Sequence, residues 1–172
     1  GARGVRVAVT GTPGTGKTTA TELVDADLDV VHLNDVIREE GLHEGEDPER
    51  GSLVADLDGL ADWLDGRDDV LVESHLAHHF DADRVVVLRC HPEQLEQRLG
   101  ERGESDEKAS ENAESEALDV VLSEAVAEHG ADVVYEVDTT DRDPDAVAAD
   151  IEAVIRGERA PSAGEVDFLD YL

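Results

Sequence analysis

Apolar residues along this chain fall into five short blocks separated by longer amphipathic stretches. Residues 5–9, 29–32, 70–72, 84–88 and 133–137 are dominated by Val and Leu, as strands buried on both faces should be. Between the blocks the apolar spacing becomes helical. Residues 18–26 follow a Gly-rich loop, and residues 53–64 set Leu53, Leu57, Leu60, Ala61 and Leu64 on one face. Pro92 suits the first turn of a helix running to about Arg102. A long helix from about Asp106 to His129 carries Leu118, Val121, Leu122, Ala125 and Val126 and stops at Gly130. Another begins at Pro144 and ends near Gly157. Strands alternating with helices predict an α/β fold, a five-stranded parallel sheet with helices on both faces. No internal repeat is present. Residues 1–157 read as one domain and 158–172, "ERAPSAGEVDFLDYL", as an acidic tail behind a linker at 157–164. A mobile terminus is the expectation for that tail.

Charge changes the picture first. Forty-four acidic residues stand against 14 basic ones in 172, a formal net charge of -30. High charge with 3% aromatic residues suggests disorder, but 40% of the residues are hydrophobic and lie in periodic blocks. Lysine occurs only at positions 17 and 108, and the acids are spread along the whole chain. Dense salt would screen the self-repulsion, so a salt-adapted protein is expected. Cys90 is the lone cysteine, which excludes an internal disulfide and a zinc site built on several cysteines. The longest apolar runs are far too short to span a bilayer, and residues 1–10 carry no apolar segment with a cleavage site. A cytoplasmic location follows as the expectation. So acidic a surface should avoid DNA and other bare nucleic acid phosphates and attract basic proteins.

The chemistry begins at "GTPGTGKT", residues 11–18, which fits G-x-x-x-x-G-K-[ST] between a predicted strand and a predicted helix. A loop of this kind turns successive backbone N–H groups onto a phosphate chain, which needs the backbone freedom of Gly11, Gly14 and Gly16. Lys17 then brings an ammonium to the β- and γ-phosphates, and Thr18 offers a hydroxyl to Mg²⁺. A chance match is expected in fewer than about one in a hundred chains of this length. A nucleotide site for ATP and Mg²⁺ is therefore predicted.

Small nucleoside monophosphate kinases add an acceptor-binding segment after the second strand and a lid bearing arginine. Residues 32–53 provide the first, with Asp35 and Arg38 on one helical face. Glu73, at the carboxyl end of the third predicted strand, is placed as the Mg²⁺-binding acid, and His75 follows two residues later. His75 and His79 are four apart, a metal spacing only if that stretch is helical. Exposed or capping roles are the simpler expectation for His78 and His79. Arg89, Arg98 and Arg102 cluster in a chain short of positive charge. Arg98 is read as an i,i+3 partner of Glu101, while Arg102-Gly103 is read as the hinge of a short lid over residues 101–111.

The stretches "GTPGTGKTT", "NDVIREEGLHEGEDPE", "VESH" and "VLRCHPEQLEQRLGERGESDEKASENAESEALDVVLSEA" resemble the adenylate kinase isoenzyme 6-like family, also called CINAP. The likeness runs from about Val5 to His129. It implies an adenylate-kinase-like fold and Mg²⁺-dependent transfer from ATP to AMP or another nucleoside monophosphate, with ATPase activity. It also implies a part in maturing the small ribosomal subunit precursor, through a basic ribosomal protein of the subunit platform. Carried over position by position, it assigns Gly14, Gly16, Lys17, Thr18 and Thr19 to ATP phosphates, Asp35 and Arg38 to the acceptor, and Arg102 to the lid. Glu73 and His75 match its metal-binding acid and following histidine, with Glu for Asp as a departure, and Ser74 replaces an aromatic. Two other readings stand beside it: an assembly ATPase without a dedicated kinase role, and a kinase of a sugar or shikimate-like acid.

Overall fold

A computed structural model describes residues 4–47 and 52–172. Five parallel strands form the central sheet: β1 (Arg6–Gly11), β2 (Asp29–His32), β5 (Val70–Glu73), β6 (Arg84–Arg89) and β7 (Val134–Asp138), in the order β2-β5-β1-β6-β7. Helices α1 (Lys17–Glu22) and α7 (Pro144–Ile155) cover one face. There Val7, Val9, Leu71, Val86 and Leu88 meet Ala20, Val147, Ile151 and Val154. Helices α2 (Leu33–Glu39), α3 (Leu57–Leu64) and α6 (Val120–His129) cover the other. Ala8, Val70, Val72, Val85 and Val87 pack there against Leu33, Ile37, Leu60, Leu64, Leu122 and Ala125. Alternate residues of each strand thus feed two cores, which is why the blocks read as continuously apolar. Helices α4 (Pro92–Glu101) and α5 (Asp106–Ala117) form a hairpin beside the sheet, closed by Leu95, Leu99 and Ala109 around Cys90.

Four expectations are corrected. The predicted helix over 53–64 begins only at Leu57, because the Asp56 carboxylate caps it by accepting from Gly59 N at 3.0 Å. The residues before it form β4 (Ser52–Ala55), paired antiparallel with β3 (His43–Asp47). Residues 48–51 of the predicted acceptor segment, like residues 1–3, lie outside the described residues. The first helix is also shorter than predicted, ending at Glu22 rather than 26.

The long helix predicted over 106–129 breaks at Asp119, which adopts a left-handed conformation with φ 57°. Arg89, from β6, is the physical reason. Its guanidinium takes the Asp119 carboxylate and the Glu116 carbonyl, which also accepts from Asp119 N at 3.1 Å as the helix ends. The tail, finally, is docked: Phe168 and Ser162 are buried, and Ser162 N donates to Val134 O at 3.0 Å.

Candidate functional site

The Gly-rich loop leaves the carboxyl end of β1, the strand flanked by β5 and β6. Gly14 has φ +95°, and a Cβ there would lie 2.9 Å from Leu95 Cδ1 and from Leu99 Cδ2. Gly16, with φ +90°, precedes the first residue of α1. Left-handed backbone explains glycine at both positions, of which Gly16 is the one the motif demands. Thr12, 1% exposed, is the pivot of the turn. Its carbonyl accepts from Thr15 Oγ1 at 2.9 Å and from Lys17 Nζ at 3.1 Å. Burial lowers the Lys17 ammonium from its ordinary 10.5 to about 8. Glu73 and Glu116 resist that drop, and Arg102 adds to it.

Glu73 ends β5 in register with Val9 of β1 and His32 of β2. The register aims one carboxylate at two neighbours. Thr18 Oγ1 lies 3.3 Å from Glu73 Oε1, and His32 Nδ1 lies 2.8 Å from Oε2. A hydroxyl beside a buried carboxylate is a hard, all-oxygen donor pair of the kind Mg²⁺ takes when phosphates and waters complete its shell. His32 orients the acid, and sequence reading missed it. The only available signal was its position as the last residue of a predicted strand.

Around these groups opens a cleft of about 550 Å³ lined by Gly14, Gly16, Lys17, Thr18, Thr19, Glu73, His75, Arg98 and Arg102, among others. Three of the chain's 14 basic residues meet there, in a molecule of net charge -30. His75 is lowered from 6.5 to about 4, by burial first and then by Lys17, His78 and His79, so it faces the cleft neutral at pH 7. Arg102 closes α4, and Gly103 with φ +89° and the Ser105 cap of α5 follow. The residues predicted to hinge a lid, Arg102-Gly103, thus lie in the α4–α5 turn.

Asp35 and Arg38 are placed differently. They pair with each other at 3.7 Å on an exposed surface, and neither lines the cleft. Asn34 does, held through its Oδ1 by the Ser74 hydroxyl at 3.0 Å. Arg98 corrects a second expectation. Instead of pairing with Glu101 it donates to Gln94 Oε1 at 2.8 Å, to Thr139 O at 3.2 Å and to Gly14 O at 3.4 Å. It thereby separates the cleft from a second cavity of about 250 Å³ between the loop and Thr139, Arg142, Pro144 and Val147.

His78 is not exposed. Its ring is 1% exposed, with Nδ1 2.7 Å from Thr10 Oγ1 and Nε2 3.0 Å from Glu124 Oε1. Residues Ala77–His79 form a 3-10 turn, so the helical spacing of His75 and His79 is not realised. A separate cleft of about 680 Å³ is lined by Arg6 and by acids including Asp62, Asp65, Asp81 and Asp83, and lacks the loop's phosphate-binding groups.

Residues 7–119 match the family described as "AAA domain". The chain is 69% identical over 168 residues to a protein of Natronomonas pharaonis named "Putative adenylate kinase", covering 98% of this chain and 100% of that one. Proteins of the same name in Halobacterium salinarum and Methanothermobacter thermautotrophicus are 64% and 43% identical. They cover 98% and 96% of this chain and 100% and 98% of their own. Among solved structures, a shikimate kinase from Bacteroides thetaiotaomicron is similar with TM-score 0.57 and 17% identity, covering 88% of this chain and 98% of its own. A gluconokinase from Sinorhizobium meliloti 1021 has TM-score 0.56 and 16% identity, covering 90% and 93%. At those identities the likeness is one of fold.

Proposed function

The chain belongs to the AAA-domain family and to the group of archaeal proteins named "Putative adenylate kinase", and from that premise we propose that it transfers the terminal phosphoryl group of ATP to AMP or another nucleoside monophosphate. One observation carries the reading. A single cleft joins the loop lysine, the Thr18–Glu73 oxygen pair and two arginines. In this proposal the triphosphate lies along residues 11–19, and Lys17 leaves the Thr12 carbonyl for the β- and γ-oxygens. The cavity beyond Arg98 takes the nucleoside end of ATP. Thr18 and Glu73 hold Mg²⁺, directly or through water, with His32 fixing the acid. Bound there, the ion supplies neutralisation of phosphate charge.

An acceptor phosphate oxygen attacks the γ-phosphorus, and the bond to the β-bridging oxygen breaks as ADP leaves, so no protein nucleophile is needed. Arg102, exposed at the hinge, folds over the transferring group, whose charge spreads in the transition state. Asp35 and Arg38 serve the acceptor. Their exposed pair is worth little, so a phosphate can draw Arg38 away. The test is ADP formation from ATP in molar KCl with and without AMP. Formation that rises with AMP, two ADP per AMP consumed, supports the kinase. A rate indifferent to AMP overturns it and leaves an ATPase, or a kinase that a panel of sugars and shikimate-like acids would reveal.

The resemblance to the adenylate kinase isoenzyme 6-like family adds ATP hydrolysis and small-subunit maturation to the proposal. The charge of -30 favours a basic platform protein as partner. It equally fits salt adaptation and a cytoplasmic setting, which belong to the same proposal. Absence of binding to that protein, with ATP or with ADP, would remove the ribosomal part alone.

A further inference from the structure

Glu116, in the last turn of α5, is 1% exposed, and both its oxygens are engaged. Oε1 accepts from Thr12 Oγ1 at 3.0 Å, while Oε2 accepts from Cys90 N at 2.8 Å and Arg89 Nε at 3.2 Å. Thr12 is the residue whose carbonyl receives Lys17 Nζ. Glu116 therefore grips the phosphate loop at Thr12, and neither of the two lines the cleft.

Arg89 continues the path. Only 1% exposed, it reaches Glu136 through Nη1 at 2.7 Å and Asp119 through Nη2. Burial disfavours its charge, but Glu116, Asp119 and Glu136 outweigh that and raise its pKa. One guanidinium cannot neutralise three carboxylates, so the remaining lone pairs need other donors. The C-terminal segment brings them: Glu165 N donates to Glu136 Oε1 at 2.8 Å. Ser162 Oγ accepts from Glu136 N at 3.0 Å. Phe168 then covers Arg89, its ring centroid 5.3 Å from the guanidinium carbon and 5.4 Å from the His91 ring. Tyr171 ties the end to Glu96 at 3.0 Å. An unbroken chain of contacts runs from the tail through Glu136, Arg89, Glu116 and Thr12 to Lys17.

We propose that Glu116 is a positioning residue for the phosphate loop, setting the place of Lys17 through Thr12, and that the docked residues 162–171 hold it in that role through Glu136 and Arg89. The proposal rests on the reading of Lys17 as the triphosphate-binding lysine. A carboxylate that merely braced the fold would affect melting alone. One that places Lys17 through Thr12 also lowers ATP affinity in the folded protein at a fixed pH.

The experiment is calorimetric titration of Mg·ATP, without acceptor, in molar KCl at a fixed pH of about 7. Glu116→Ala removes the acceptor for Thr12 and should weaken binding about fivefold, with Glu116→Gln, which keeps an acceptor, recovering part of the loss. Thr12→Val removes the same contact from its other end and should also weaken binding about fivefold. Removing residues 162–172 should weaken binding too, and combined with Thr12→Val the loss should be smaller than the product of the two. If neither Glu116 variant folds, that cycle decides. Wild-type affinity in Thr12→Val, or independent multiplicative losses, overturns the proposal. Unchanged ATP binding in Lys17→Ala would instead overturn the underlying assignment of the loop.

Discussion

Raising the pH tests the loop lysine without altering the protein. Lys17 sits at about 8 in place of 10.5, because burial removes water from the ammonium while Arg102 adds positive potential, against Glu73 and Glu116. That displacement corresponds to about 3 kcal/mol against the charged form. Its charged fraction is then about 0.9 at pH 7 and about 0.1 at pH 9, whereas an ordinary lysine stays more than about 0.9 charged at both. Since kcat/KM reports the free enzyme, its value for ATP should fall about tenfold for each pH unit above 8. In the complex the triphosphate restores the ammonium, so kcat should hold to higher pH.

Stability carries the opposite sign. Between about 8 and 10.5 the unfolded chain binds a proton that the native chain does not, so the contribution of Lys17 to stability rises through that window. Subtracting the denaturant-unfolding profile of Lys17→Met from that of wild type isolates it. A value of kcat/KM flat to pH 10 would refute the reasoning. So would the same bend in Lys17→Arg, whose guanidinium does not titrate there.

Three further outcomes follow from the geometry. Glu73→Gln, which removes the charge beside Thr18 and His32, should raise the Mg²⁺ needed for half-maximal velocity by at least about tenfold. A Mg²⁺ titration of initial rates checks it. Arg102→Ala should lower kcat by about 10³-fold while leaving ATP affinity within about threefold, read by single-turnover kinetics beside calorimetry. Phe168→Ala should cost about 3 kcal/mol, lowering Tm by about 6–12 °C, since the ring is 7% exposed over Arg89 and His91. An unchanged Tm there would mean that the tail is not docked in solution.

Local chemistry was enough for the parts of this protein that local chemistry governs. The five parallel strands are legible because a strand buried on both faces needs a continuous apolar run, and the helices between them announce the crossovers. The phosphate loop is legible because left-handed backbone at Gly14 and Gly16 admits little but glycine. Thr18 and Glu73 were readable as partners from their places at strand and loop ends, and the structure brings them to 3.3 Å.

What required the tertiary structure is whatever depends on a partner far along the chain. His32 meets Glu73 across 41 residues, Thr12 meets Glu116 across 104, and Glu165 meets Glu136 across 29. Helical periodicity runs straight through Asp119, and only Arg89 arriving from β6 gives the left-handed break its reason. Arg98 obeys the same rule, with helix neighbours offering an ion pair while Thr139 and Gly14 offer carbonyls. The acidic tail looked like a solvated end because its few apolar residues are too sparse to show a face. Packing decided otherwise, since Arg89 satisfies one oxygen of the buried Glu136 carboxylate and the tail's backbone, through Glu165 N, satisfies the other.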